Sequence, residues 1–160
     1  MKKLLVWTLV IIAIIMSACE EEYETSVSRT QMKLTFYRRT DTSTVNMGVS
    51  DTLNIYALKT DSVLGSAKDS TTSAYSLPLS YTADSTVFIL RKGAKNFVSD
   101  TLVVKYNAWA HFLSMDQGSV MYYNISNATI THHFISYMNI ISKNVREVET
   151  ENLRLYYVAK

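Results

Sequence analysis

The sequence predicts an all-β chain, an antiparallel β-sandwich, Ig-like or similar, of about seven to nine short strands. Apolar residues recur with period two from Met32 onward, no stretch keeps a helical period, and the alternating runs are separated by clusters of Asp, Asn, Ser and Thr. A small barrel is the alternative. Taken in order, Met32-Leu34-Phe36, Leu53-Ile55-Ala57, Val87-Ile89, Leu102-Val104-Tyr106 and Leu153-Leu155-Tyr157 each line one buried side. The intervening Lys33-Thr35-Tyr37, Thr52-Asn54-Tyr56, Val103-Lys105 and Arg154-Tyr156 line a more polar side. Leu77-Pro78-Leu79 belongs at an edge or a strand start, because proline cannot donate to a ladder. Trp109–Met115 and Gly118–Asn124 read as two further short strands. From His133 to Ser142 both sides are apolar, which predicts a central strand. Only four glycines and one proline are present, so the turns at Arg39–Ser43 and Lys68–Ser73 rest on side-chain hydrogen bonding.

Residues 31–160 show no linker and read as one domain, and 160 residues suffice to bury a sizeable core. The net charge of +2 is that of Lys2 and Lys3; from residue 19 onward 14 basic side chains face 14 acidic ones. That balance, without a basic cluster, argues against nucleic acid and against an electrostatic hold on anionic lipid. A single cysteine makes no internal disulfide, and no Cys or His grouping has zinc spacing. No pattern calls for a cofactor.

Met1-Lys2-Lys3, the 13-residue run Leu4–Met16 broken only by Thr8, and the small pair Ser17-Ala18 form the layout of a cleaved secretory signal over residues 1–18. The run is short for a permanent span of ~30 Å of hydrocarbon. Met16-Ser17-Ala18-Cys19 resembles the lipobox of bacterial lipoproteins, with Met where that family most often has Leu. The resemblance implies a thioether-linked diacylglycerol on Cys19, an amide-linked third chain, and a membrane as partner. Each buried methylene is worth ~0.8 kcal/mol, so such an anchor holds without spanning. Residues 19–30 then form an acidic tether. Glu20, Glu21 and Glu22 resemble the surface-export tag of Bacteroidetes-type lipoproteins; a solvated, disordered tether is the other reading of the same acids. The implied location is the outer membrane, at its periplasmic face or at the cell surface.

Catalytic constellations are sparse. His132 and His133, adjacent in the strand expected there, point to opposite faces and cannot chelate one ion together, and His111 is distant. There is no Gly-x-Ser-x-Gly elbow and no phosphate-cradling glycine loop. Glu147, Glu149 and Glu151 read as a solvated hairpin loop. Asp followed by Ser or Thr recurs in a pattern similar to the acceptor of Bacteroidetes protein O-glycosylation, which implies sugar on Thr52, Ser62, Ser70, Ser85 and Thr101. An Asp turn leading into a β-branched strand start is the competing reading. In the pairs Tyr122-Tyr123 and Tyr156-Tyr157 alternation sends one member inward and leaves one for a surface.

The order of "DTLNIYAL", "LPLS", "TVFIL", "DTLVVKY", "FLSMDQGSVMYYNI" and "ENLRLYY" resembles a family of small Bacteroidetes lipoproteins of uncharacterised function. Where that family often has Cys-Gly, this chain has Gln117-Gly118. The expectation is a non-catalytic, lipid-anchored accessory or binding module meeting an envelope protein or a glycan. The alternatives are a carbohydrate-binding module, or a glycan- or peptide-processing enzyme whose site assembles only in three dimensions.

Overall fold

The computed structural model describes residues 30–40, 43–58, 62–68, 71–148 and 150–158. Cys19, Glu20, Glu21, Glu22 and Ser70 lie outside them. Among the described residues there are eleven strands and no helix: β1 (Gln31–Arg39), β2 (Thr44–Asn46), β3 (Leu53–Ala57), β4 (Val63–Ala67), β5 (Ala74–Pro78), β6 (Ser85–Lys92), β7 (Val98–Ser114), β8 (Gly118–Ile130), β9 (Ile135–Ile140), β10 (Asn144–Val145) and β11 (Glu151–Val158). They form two packed sheets, a β-sandwich as the alternation predicts. One runs β2-β1-β11-β9 with β5 also beside β1; the other runs β10-β8-β7-β6-β3-β4. Every pairing is antiparallel except that of β1 with β11, which is parallel, so the first and last strands meet at the centre of one sheet. Alternation within a strand says nothing about its neighbour's direction, so this one pairing departs from the antiparallel expectation.

The core lies between the sheets. Met32, Leu34 and Phe36 meet Leu153, Leu155 and Tyr157 from one side and Leu53, Ile55, Phe88, Leu90, Leu102, Val104, Tyr106 and Ile125 from the other. Each fully buried side chain of this size contributes about 1.5–3 kcal/mol of transfer free energy. Phe36 meets Tyr75 edge to face at 5.7 Å, and Tyr106 meets Tyr123 in the same way at 5.3 Å.

Several expectations change. In β6 the buried residues are Phe88 and Leu90, not Val87 and Ile89. Both faces of that strand are apolar, so period two cannot choose between them, and the register with β3 and β7 does. Trp109–Ser114 is no separate strand but the end of the 17-residue β7, with Met115 in the turn beyond it; the register shifts between Lys105 and Tyr106, yet Asn107 pairs with Asn124 and the ladder continues. The central strand expected over His133–Ser142 is the edge strand β9, paired with β11 alone. Its outward apolar residue Tyr137 is 52% exposed, so apolar residues on both sides did not mean two covered faces. Leu77-Pro78 does end an edge strand, β5. Glu151 opens β11 and pairs with Arg154 rather than belonging to a solvated loop.

The sandwich has two distinct ends. At one, Gln31 begins β1 opposite Pro78, and the carbonyls of Leu79 and Ser80 accept the hydroxyls of Tyr123 (3.2 Å) and Tyr106 (2.9 Å). The chain preceding β1 therefore enters here, at what is called the tether end below. β6 stops at Ser85 opposite Lys105, while β7 and β8 run on to Ser114 opposite Gly118 as a projecting hairpin. Gly118, at φ +71°, supplies the left-handed turn residue at its tip. Asn152, 1% exposed, ties this end together. Its Oδ1 accepts the Lys33 N–H where the β1–β11 register shifts, and its Nδ2 donates to the carbonyls of Ser142 and Asn144. The opposite, far end gathers Arg39, Lys92, Val98 and Val158, with the loop joining β8 to β9.

Candidate functional site

The far end holds a cleft of about 430 Å3. Lys92 from the end of β6, Asn96 from the following turn, His132, His133 and Phe134 from the β8–β9 loop, Ser136 from β9 and Asp51 ahead of β3 surround it. Val98, Ile135 and Val158 complete its apolar wall. The turn after Lys92 depends on Gly93 at φ +100°, where an added Cβ would lie 2.9 Å from the Asn96 carbonyl oxygen.

Asp100 builds the loop. Its side chain has no exposed surface and its two oxygens accept five hydrogen bonds. Oδ1 takes the Thr131 hydroxyl (2.8 Å), the His133 backbone N–H (2.8 Å) and His133 Nδ1 (3.0 Å). Oδ2 takes the N–H groups of Phe134 and Ile135, both at 2.9 Å. Burial by itself pushes this carboxyl up, but the three backbone donors and Thr131 outweigh it and hold the group below the usual carboxylate range. Asp100 is therefore a fixed, saturated anion that shapes a turn, not a free acid.

Two consequences follow for the histidines. They do not sit in a strand pointing to opposite faces, as alternation predicted; the turn around Asp100 brings both to one cleft. Each ring is oriented through Nδ1, because the acceptors, the Ile135 carbonyl for His132 (3.1 Å) and Asp100 for His133, can only accept. In the neutral rings this leaves both Nε2 atoms as acceptors. Among the described residues no group of three His, Cys, Asp or Glu could hold a metal ion. The Ser136 hydroxyl is donated to the Tyr156 carbonyl at 3.0 Å. Lys92 makes no ion pair among the described residues. The cleft thus offers one cation, one carboxylate in Asp51, an amide, two oriented imidazoles and an apolar wall, a set suited to holding a ligand with a polar end.

Two aromatic groups lie elsewhere. On the outer face of the first sheet Tyr156 stands between Tyr37 and Tyr137, with centroids 5.8 Å apart on each side. Arg154, held by Glu151, covers the Tyr37 ring at 4.4 Å. At the root of the hairpin Tyr122 stacks on His111 at 4.5 Å, meets Trp109 edge on, and lies under Arg146. Tyr122 and Tyr123 are both buried, on opposite faces, so this pair does not leave one member for the surface as expected. The Tyr156-Tyr157 pair does divide, Tyr157 being fully buried with its hydroxyl donated to the Gly48 carbonyl at 2.6 Å.

The remaining residues singled out in the sequence are scattered. Thr52 is half-buried beside Asp51, which accepts its N–H at 2.6 Å. Ser62 is exposed ahead of β4. Ser85 opens β6 and donates its hydroxyl to Asp84 at 3.1 Å. Thr101 is half-buried inside β7. Sequence reasoning missed Lys92, Asn96 and the organising role of Asp100. For Asp100 the available signal was its place inside a continuous alternating run rather than ahead of one.

No curated protein and no solved structure matches the chain significantly. One family model, described as a family of unknown function (DUF6452), matches residues 52–157, from the start of β3 to the end of β11. That stretch is well over half of the chain and contains most of the cleft, and the chain belongs to this family.

Proposed function

We propose that this protein is a lipid-anchored, non-catalytic binding module of a bacterial envelope, of the Bacteroidetes type, held at the outer membrane through Cys19. The observation that carries the reading is the far-end cleft, whose polar groups are oriented in advance and which lies at the end opposite the entry of the tether. A module meeting an envelope protein or a glycan needs its receptive end turned away from its own anchor. Two features favour binding over turnover: Asp100 has no free oxygen for proton transfer, and the Ser136 hydroxyl is committed to a carbonyl. Cross-linking and pull-down from intact envelopes tests the reading. The wild-type chain captures a partner and Lys92→Glu loses it; equal capture by both removes the cleft from the interaction.

The anchor is tested separately. Cys19→Ser moves the protein from the membrane to the soluble fraction, and mass spectrometry finds acyl chains on wild-type Cys19. A Cys19→Ser chain still fully on the membrane, with unmodified wild type, overturns it. Replacing Glu20, Glu21 and Glu22 together shifts surface exposure to protease if they act as an export tag. Of the described O-glycan acceptors, Ser62 is the accessible one, and peptide mass mapping locates the sugar there before Thr101.

A second reading, glycan recognition, draws on the Tyr37–Tyr156–Tyr137 row with Arg154 beside it. A glycan array on which Tyr137→Ala binds as well as the wild type removes it.

A further inference from the structure

We infer that the tether end of the sandwich is a second membrane contact, with the β7–β8 hairpin dipping its tip into the interfacial layer of the bilayer that carries the anchor. The inference rests on the lipid-anchor reading above, and adds a contact made by the folded domain itself.

Six large exposed apolar side chains lie at this end, against Val45, Phe97, Val98 and Val158 at the far end. At the hairpin Trp109 is 40% exposed, Phe112 57% and Met115 90%; beside its root Tyr81 is 71%, Val148 69% and Ile141 47% exposed. They come from the hairpin and three separate connections, after β5, after β9 and before β11, which the topology brings to one end. Isolated apolar residues on a surface need no explanation, but convergence from four segments does. The mixture of Trp, Tyr and Phe with aliphatic side chains is the composition that suits the water–hydrocarbon boundary.

The occupant follows from where the chain enters. Residues 20–30 lead into β1 at this same end, and eleven residues reach at most ~36 Å at ~3.3 Å each. The hairpin strand from Asn107 to Ser114 is itself ~25 Å long at ~3.3 Å per residue. A tether that spans ~25 Å or less, about two-thirds of its full reach, therefore brings the tip to the surface. Charges around the hairpin balance, Lys105, Lys143 and Arg146 against Asp84, Asp116 and Glu147. The contact is accordingly apolar, indifferent to lipid charge and insensitive to salt.

Trp109 is the only tryptophan after residue 18 but stands at the hairpin root, ~17 Å from Ser114 at ~3.3 Å per residue, so a Trp109→Phe/Gln117→Trp chain carries the reporter to the exposed tip. This reporter protein, acylated, is placed in phosphatidylcholine vesicles with ordinary or brominated acyl chains. Its emission falls in the brominated vesicles, at low and high salt alike. The same protein with Phe112→Ser/Met115→Ser remains bound through Cys19 but loses this quenching. Equal reporter emission in both lipids overturns the inference, as does quenching that the added double substitution leaves unchanged, or a hairpin buried in a second copy of the chain by sedimentation. Mass spectrometry on the same sample separates the two readings. Acylated Cys19 without quenching rejects the hairpin contact alone, whereas unmodified Cys19 rejects the anchor.

Discussion

At the far end of the sandwich a carboxylate with no exposed surface gathers five donors and fixes a loop around a polar cleft, while at the tether end a hairpin leaves the sheet and carries apolar side chains into solvent. The first is held by hydrogen bonds inside low dielectric, where an orphaned group is costly. The second, past a root supported by β10 and the Tyr122 cluster, is held by the β7–β8 ladder. The difference teaches that one end is built to keep a shape and the other to present a surface, so substitutions at the two ends separate stability from contact.

The largest effect is expected at Asp100. Asp100→Ala strips the acceptor from three backbone N–H groups and costs about 3–5 kcal/mol in denaturant unfolding, with loss of the cleft. The same carboxyl sets an acid limit. Its folded-state pKa is depressed, so it contributes stability above the unfolded value of ~3.9, and that contribution is lost as pH falls from there through the folded value. Asp100→Asn shows a flatter stability profile below pH ~4, and a profile as steep as that of the wild type assigns the acid limit elsewhere.

Asn152→Ala is the counterpart at the tether end. It withdraws the acceptor from the Lys33 N–H and the donor from two carbonyls, for about 2–3 kcal/mol, and leaves the cleft loop intact by hydrogen exchange. A cost as large as that of Asp100→Ala would erase the distinction between the ends. Gly65→Ala is the mid-body control, since its Cβ would fall 2.6 Å from the Tyr75 ring. It destabilises by about 1–3 kcal/mol without altering ligand capture or vesicle contact. Smallest in stability are Lys92→Ala and Phe112→Ser, both within about 0.5 kcal/mol of wild type, the first losing partner capture and the second weakening lipid quenching of a tryptophan placed at the hairpin tip. A large loss of stability from either would mean that its end has been assigned the wrong task.

Much of the fold was legible. Leu53-Ile55, Leu102-Val104-Tyr106 and Leu153-Leu155-Tyr157 point inward as their alternation demands, because a half-buried strand has to place every second side chain in the core. Legibility failed where both faces of a strand were apolar, in β6 and β9, since period two then carries no direction. It failed again at Tyr122, which is covered on the outer face by His111, Trp109 and Arg146 from elsewhere in the chain. Little of the candidate site was legible. His132 and His133 drew attention as residue types, but Lys92 and Asn96 lie some forty residues earlier, and the loop that carries the histidines is folded by the Asp100 carboxylate from β7.

By itself the sequence determined the all-β class, the inward residues of the one-sided strands, and the expectations of a signal, a lipid anchor and a tether, because these depend on composition and on periodicity within single segments. Only the tertiary structure decided the parallel meeting of β1 with β11, the edge position of β9, and which loops share an end of the sandwich. Those properties depend on which strands pair and in what register, and pairing is chosen by the packing of the whole core rather than by any one stretch of chain.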